Sequence, residues 1–180
     1  MSTDFNLDAL VADLRSASTE ARPQQAVKSV LQAAMSNPDN VVAGMPNFED
    51  NDVVLFEDDT ISIWHCRFMP GQTVPAHDHQ MHATIGVYKG AERNDFYDAD
   101  PSTGGMRKTV EVVLEPGKVL QIGPDAIHAV GCASDDPCQG IHVYLGKLTT
   151  VDRSLFDTET GEAMAFSDEN YERLTKADDA

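Results

Sequence analysis

Three histidines lie close together near the middle of the chain, at positions 77, 79 and 82. On a β-strand, side chains two residues apart point to the same face, so His77 and His79 can bind one metal ion together. His82 has the opposite parity, and we expect it to lie on the protein surface rather than to carry protons at a pocket rim. A pair of histidines at this spacing also occurs by chance, so the metal site depends on further features.

Two more histidines lie in strand-like sequence later in the chain. His128 follows the turn Gly123-Pro124-Asp125, which opens a new strand. His142 precedes Tyr144 by two residues on a β-branched run, so both side chains should point to the same face. Imidazole binds iron(II), zinc, nickel and manganese, so the histidines do not by themselves select one of these metals.

Glycines at fixed distances from these histidines complete two longer motifs. Gly71 is separated from the first of the paired histidines by five residues, and Gly90 follows at the far end of the strand pair. Gly117 precedes five residues, a Gly-Pro-Asp turn and His128. The two units resemble the cupin motifs G-x5-HxH-x3-4-E-x6-G and G-x5-PxG-x2-H-x3-N over about residues 71–132. The resemblance implies a double-stranded β-helix with one divalent metal on the histidine pair and His128.

The chain departs from the cupin motifs at the metal-binding glutamate, which should fall at Ala83 or Thr84. Neither side chain can bind a metal, which leaves three histidine ligands. In the second motif, Gly123, Asp125 and Cys132 replace the family's Pro, Gly and Asn, as tolerable turn variants. A cupin with three histidines and no glutamate resembles the thiol dioxygenases, the cysteine dioxygenase family. That resemblance implies iron(II) on three neutral imidazoles with one side open.

Two short segments add to this resemblance. Residues 77–79 read His-Asp-His, as in the family, and its Ser-x-His-x-Tyr segment reads Gly-Ile-His-Val-Tyr over residues 140–144, without the serine. The resemblance covers roughly residues 52–157 and is greatest to bacterial cysteine-dioxygenase-like proteins of unassigned substrate. It implies that Tyr144 hydrogen-bonds the oxygen co-substrate and that His142 orients Tyr144. The alternative for this pair is a buried structural hydrogen bond.

Strand alternation predicts which side chains line the substrate pocket. Aligned by distance from the first metal-binding histidine, Cys66 and Phe68 face the pocket, and Trp64 shares their parity. Arg67 alternates with them, so we expect it to face outwards as a surface or interface arginine. The pocket should therefore be lined by Trp64, Cys66 and Phe68.

The resemblance leaves the substrate carboxylate without its usual partner. In cysteine dioxygenases an arginine on an early strand holds this carboxylate, but residues 52–56 contain no arginine. The family's cysteine cross-linked to tyrosine would align with Thr84, so that cross-link cannot form. Arg93 is our candidate anchor, with Lys89, if the following loop folds over the mouth. We expect either that the substrate is a thiol other than cysteine or that its carboxylate is held from another direction. Arg67 or Arg93 within salt-bridge reach of the pocket would argue against a thiol other than cysteine.

The metal ligands need a barrel to bring them together, and the sequence from about residue 52 predicts one. Seven short runs rich in β-branched and aromatic residues are separated by Gly, Pro or Asp clusters, which indicates an all-β sandwich or barrel. Residues 5–36 instead repeat apolar residues at helical spacing, with Pro23 opening a second helix and Asn37-Pro38 ending it. A last short helix is predicted at 168–176. The chain thus divides into an N-terminal helical segment packing on the barrel (1–48), a cupin jelly-roll barrel (49–157) and a polar C-terminal tail (158–180).

Composition limits the partners and the cellular location. The chain has 180 residues and a formal net charge of -17, so it should repel nucleic acid and anionic membranes. Its three cysteines form no CxxC pair, and it has neither a signal-peptide pattern nor an apolar stretch of about 20 residues. These features predict a cytoplasmic protein without a disulfide framework. A homodimer is expected because cupins frequently dimerise.

Three functions are compatible with the sequence. The first is an iron(II) enzyme that adds O2 to the sulfur of a small thiol, which the His142–Tyr144 segment favours. The second is a metal cupin of another reaction class, an isomerase or lyase with zinc, manganese or nickel. The third is a non-catalytic cupin that binds a small ligand or a metal. The missing carboxylate anchor favours the second and third, and metal analysis with O2 uptake separates them.

Overall fold

The computed structural model describes residues 4–178 and contains two antiparallel β-sheets. One sheet has the strand order β1-β2-β9-β4-β7 and the other β11-β10-β3-β8-β5-β6, so neighbouring strands are mostly distant in sequence, as in a jelly roll. The all-β jelly-roll prediction is confirmed. The strands are β1 (Asp52–Glu57), β2 (Ser62–Phe68), β3 (Thr73–His77), β4 (Ala83–Lys89), β5 (Glu92–Ala99), β6 (Met106–Leu114), β7 (Val119–Ile122), β8 (Ile127–Cys132), β9 (Cys138–Tyr144), β10 (Ser154–Phe156) and β11 (Ala163–Ala165).

Strand β5 was not among the predicted runs, because its sequence is rich in residues that are rare in strands. It reads Glu-Arg-Asn-Asp-Phe-Tyr-Asp-Ala, and charged and amide side chains usually disfavour a pleated, half-buried surface. Two of these polar residues, Glu92 and Asn94, are nevertheless fully buried between the sheets. They can be buried because Asn94 donates a hydrogen bond to Glu92 at 2.9 Å.

The N-terminal helices pack against the outer face of the first sheet. The helices are α1 (Leu7–Ala17), α2 (Pro23–Met35) and α3 (Pro38–Gly44). Leu14 and Leu31 are completely buried in one apolar cluster with strand residues such as Ile141. Asn37-Pro38, which was predicted to end the second helix, also begins α3. The Asn37 side chain accepts a hydrogen bond from the Asn40 amide at 3.3 Å, and Pro38 at the first helical position has no N–H that needs a partner.

Regular structure continues beyond residue 157, the predicted end of the barrel. Strand β10 pairs with both β3 and β11, and helix α4 (Asp168–Asp178) contacts β3. The predicted helix at 168–176 therefore lies beside the strand that carries the first metal-binding histidine. Residues 1–3 and 179–180 of the predicted terminal segments lie outside the described residues. None of the described helices is both long and apolar enough to span a bilayer.

Candidate metal centre

Three histidines converge between the two sheets from two neighbouring strands and one loop. His77 is the last residue of β3 and is paired in register with His128 on β8. His79 lies beyond the end of β3, so strand parity alone does not bring it to the site. The loop that carries it is held by Asp78, whose Oδ1 accepts a hydrogen bond from the Ser154 amide at 2.8 Å. Strand β10 therefore fixes the position of the second predicted ligand.

The separation of the His77 and His79 nitrogens fits two ligands of a single metal ion. His77 Nε2 and His79 Nε2 are 3.2 Å apart, and the ligand nitrogens of these two residues and His128 all lie within 4.8 Å of one another. Two nitrogens, each about 2.1 Å from one ion at octahedral or tetrahedral angles, would be about 3.0 to 3.4 Å apart. Among the side chains described, those of residues 4–175, this is the group of His, Cys, Asp and Glu with metal-binding geometry.

Hydrogen bonds to the outer ring nitrogens of His77 and His128 fix the orientation of these two imidazoles. His77 Nδ1 lies 2.9 Å from the Pro75 carbonyl oxygen, and His128 Nδ1 lies 2.9 Å from the Asn94 side-chain oxygen. Each Nδ1 must donate, since both partners are acceptors, so each Nε2 keeps its lone pair. His128 Nε2 is buried and has no hydrogen-bond partner among the described residues. A buried, unpartnered lone pair is what a metal ligand requires, and the residues therefore fit a metal ion.

Burial also keeps the three imidazoles neutral, which is the form that binds metal. Burial lowers the pKa of His77 to about 4, with a smaller contribution from the positive charge of Arg153. Burial and the neighbouring imidazoles hold the pKa of His79 and His128 well below the usual value. The site thus presents three uncharged donors near neutral pH.

The metal-binding nitrogens face a cavity of about 320 Å³ between the sheets. Of the residues predicted for this site, all three histidine ligands, Trp64, Cys66, Phe68, His142 and Tyr144 line it. Ala83 and Thr84, which stand at the position of the cupin glutamate, are not part of the lining, so no fourth protein ligand enters from that strand. The remaining lining residues are Asp52, Val74, Val130, Leu148, Arg153, Phe166, Asp168 and Tyr171.

His142 and Tyr144 lie next to the metal-binding nitrogens. The Tyr144 ring centroid is 5.0 Å from that of His79, and the Tyr144 hydroxyl is 3.4 Å from His142 Nδ1. Burial raises the pKa of Tyr144 to about 12, so its hydroxyl stays protonated. Burial alone would lower the pKa of His142, but the Cys66 thiol and the Glu92 carboxylate raise it well above its usual value. The pair can therefore offer a proton donor to a molecule in the cavity.

The structure places a different arginine at the cavity from the one that the sequence suggested. The Arg93 guanidinium lies outside the cavity lining and is 3.2 Å from the Asp95 carboxylate. Arg67 faces away, as its parity predicts, and donates to Asn51 at 2.8 Å. Arg153 lines the cavity, with its guanidinium carbon 3.9 Å from the centre of the Phe166 ring. It lies in the Asp-Arg-Ser-Leu-Phe-Asp segment that follows the predicted strands, so strand parity could not identify it.

The other charged candidates lie outside the lining as well. Lys89 is exposed at the end of β4 and takes no part in the cavity. His82 is half-buried and is likewise absent from the cavity lining, while its backbone carbonyl accepts a hydrogen bond from the Leu145 amide at 2.9 Å. Neither residue is positioned to contact a small molecule at the three histidines.

Several solved structures superpose on part of this chain. No protein-family model matches the chain. A protein from Bacillus halodurans superposes with a TM-score of 0.50 at 11% identity, over 61% of this chain and 76% of that one. A conserved Klebsiella pneumoniae protein with a double-stranded β-helix domain gives 0.49 at 15% identity, over 64% and 87%. A cupin superfamily protein from Desulfitobacterium hafniense gives 0.44 at 17% identity, over 57% and 84%.

Proposed function

We propose that the protein is an iron(II)-dependent thiol dioxygenase that converts a small thiolate and O2 into a sulfinate. The two oxygen atoms are added to the sulfur, which is oxidised while O2 is reduced, so no external reductant is needed. One observation carries this proposal: a single cavity contains both the three imidazoles and Arg153. The three neutral imidazoles have no carboxylate ligand beside them, and Arg153 has no ion-pair partner among the described residues.

The ligand set favours an anionic sulfur. Bound iron(II) would supply a cationic centre that deprotonates a coordinating thiol and accepts O2 at an open position. His77, His79 and His128 are neutral, so they leave the positive charge of such an ion uncompensated. A carboxylate at position 83 or 84 would have cancelled part of that charge, but Ala83 and Thr84 cannot do so. The protein thus leaves charge compensation to its substrate.

Arg153 supports a carboxylate-bearing thiol. Its guanidinium makes no hydrogen bond or ion pair with another residue of the described chain, while Phe166 covers one face of it. The Arg153 charge lowers the pKa of both His77 and His79, which places it within electrostatic reach of the metal ligands. A guanidinium binds a carboxylate through two parallel N–H donors, so it would fix the orientation of the substrate as well as its position. The carboxylate would then be held from a direction other than the early strand.

Tyr144 and the apolar walls prepare the cavity for the second reactant. The Tyr144 hydroxyl is protonated and buried, so it can donate a hydrogen bond to an oxygen atom beside the metal-binding nitrogens. Trp64, Phe68 and Val130 form apolar parts of the wall and reduce the space for water. Holding sulfur, carboxylate and oxygen in one small cavity gives the proximity and orientation on which such a reaction depends.

The test is anaerobic loading with iron(II), followed by O2 uptake and mass spectrometry of the products with a panel of small thiols. We expect a mass gain of two oxygen atoms on at least one carboxylate-bearing thiol, with one O2 consumed per product. His128→Ala should lose iron and activity together, whereas His82→Ala, outside the cavity, should keep both. A protein that retains iron but consumes no O2 with any thiol would refute the proposal.

A further inference from the structure

A continuous chain of buried polar side chains leads from the metal ligand His128 to the opposite sheet. His128 Nδ1 is 2.9 Å from Asn94 Oδ1, and Asn94 Nδ2 is 2.9 Å from Glu92 Oε1. Glu92 Oε2 is in turn 2.9 Å from His142 Nε2. All four side chains are buried, with at most 3% of their surface exposed. The metal ligand and the neighbour of Tyr144 are therefore joined through one carboxylate.

The fold builds this connection from register. Glu92 and Asn94 are two residues apart on β5 and so face the barrel interior together. Strand β5 pairs with β8, which carries His128, whereas His142 lies on β9 of the other sheet. Residue 140 on β9 is glycine, and a Cβ there would lie 3.7 Å from Glu92 Oε2 and only 2.9 Å from the Gly86 carbonyl oxygen. Glycine at this position thus lets β9 lie close to the backbone of β4, beside the Glu92 carboxylate.

The direction of every hydrogen bond in the chain follows from the carboxylate. An ionised carboxylate only accepts, so Asn94 must turn its NH2 group and His142 its Nε2–H towards Glu92. The Asn94 oxygen is then left to face His128, which must donate from Nδ1. This arrangement leaves the lone pair of His128 on Nε2, the atom that faces the other metal-binding nitrogens.

We propose that Glu92 is a positioning residue of the metal site, which sets the tautomer of His128 through Asn94 and holds a proton on Nε2 of His142 directly. The inference rests on the metal site of the proposed function but not on the reaction assigned to it. A buried carboxylate is costly to desolvate, and apolar side chains would usually fill the same space at lower cost. The Glu92 carboxylate accepts a hydrogen bond at each of its two oxygens. Glutamine has the same shape but offers one acceptor and one donor, so it cannot replace both acceptors.

Glu92→Gln tests this role because it keeps the shape and replaces one acceptor by a donor. If the new NH2 faces Asn94, the Asn94 amide must rotate and His128 must move its proton to Nε2. If the NH2 faces His142 instead, His142 must give up the proton on Nε2. We therefore expect either His128 to change tautomer or His142 to lose its Nε2 proton. A change at His128 should also weaken cobalt(II) binding about 10- to 100-fold, as is typical when a partner of a metal-binding histidine is lost.

Nitrogen-15 NMR of the zinc-loaded, 19.6 kDa protein reports these tautomers directly, and cobalt(II) titration followed by visible absorption reports the affinity. Glu111→Gln is the matched control, because Glu111 is exposed and pairs with Lys108, and it should change neither readout. If the protons on the ring nitrogens of both histidines are the same in Glu92→Gln as in the wild type, the proposal is overturned.

The wild-type protein keeps the proposal testable if Glu92→Gln does not fold. Its zinc-loaded form should show a proton on Nδ1 of His128 and on Nε2 of His142. A proton-free Nε2 on His142, or zinc bound through Nδ1 of His128, would overturn the role of Glu92. These measurements use no thiol and no O2. The proposed role of Glu92 can therefore be refuted while the proposed thiol oxidation stands, and the thiol oxidation can be refuted while the role of Glu92 stands.

Discussion

Replacing Arg153 by glutamine should change substrate preference rather than general activity. The guanidinium has no hydrogen-bond or ion-pair partner in the part of the chain that the structure describes, and its contact is with the face of Phe166. Loss of such a stacking contact costs about 0.5 to 1 kcal/mol at a partly exposed position. We therefore expect Arg153→Gln to fold with nearly the stability of the wild type.

The expected effect on catalysis is larger and depends on the substrate. A hydrogen bond to a charged group contributes about 1.5 to 3 kcal/mol, which corresponds to a loss of about 10- to 150-fold in kcat/KM. The loss should occur for 3-mercaptopropionate, which carries a carboxylate, and not for 3-mercapto-1-propanol, which carries a hydroxyl at the same place. Initial rates of O2 uptake by the iron-loaded protein, measured with both thiols, give the two values of kcat/KM.

Arg93→Gln is the control for this experiment. Arg93 also carries one positive charge, but its guanidinium pairs with Asp95 and lies outside the cavity lining, so both thiols should react as with the wild type. If Arg153→Gln reduces kcat/KM equally for the two thiols, Arg153 does not bind the carboxylate. If Arg93→Gln produces the selective loss instead, the position of the anchor inferred from the structure is wrong.

Two further predictions concern the scaffold around the site. Burial lowers the pKa of His65 from 6.5 to about 4, so this neutral histidine stabilises the fold fully above pH 6.5 and loses that contribution as the pH falls towards 4. Urea unfolding should show the wild type losing about 2 kcal/mol more than His65→Gln between pH 7.5 and pH 5; equal losses would contradict the assignment. Gly86→Ala should lower the free energy of unfolding by about 1 to 3 kcal/mol, because the new Cβ would lie 2.9 Å from side-chain carbons of helix α2. Gly123→Ala, which meets nothing within 4 Å, should change it by less than about 0.5 kcal/mol, and equal effects at the two glycines would refute the packing argument.

The grouping of the three histidines could be predicted from the sequence, because its signals are local. His77 and His79 are separated by one residue, and the glycines that accompany them and His128 mark the turns at which the strands reverse. The face of β2 followed from alternation, which placed Cys66 and Phe68 towards the site, where the structure has them. Strand parity correctly grouped His79 with His77. It did so on the assumption of a continuous strand, whereas His79 lies in a loop held by β10.

The partners of these residues could not be predicted, because they come from strands whose pairing the sequence does not specify. Glu92 meets His142 across the barrel, and the two are separated by 50 positions in the chain. The run that contains Glu92 and Asn94 is so polar that its composition argues against a buried strand. Arg153 follows the last predicted strand, and it reaches the cavity because β10 returns the chain to the edge of β3.

The charge pattern of the cavity explains how a protein of net charge -17 can bind a small anion. Exposed acids at the cavity, Asp52 and Asp168, oppose entry, but two charges about 4 Å apart interact by only about 1 kcal/mol in bulk water. A half-buried cation such as Arg153 acts at an effective dielectric nearer 20, where the same separation is worth about 4 kcal/mol. The buried Glu92 carboxylate lies 2.9 Å from His142 Nε2, and the raised pKa of His142 favours a positive charge there that compensates the carboxylate. A thiol acid that passes the rim therefore gains more inside than it loses outside, and its two anionic ends match the positions of Arg153 and the three imidazoles.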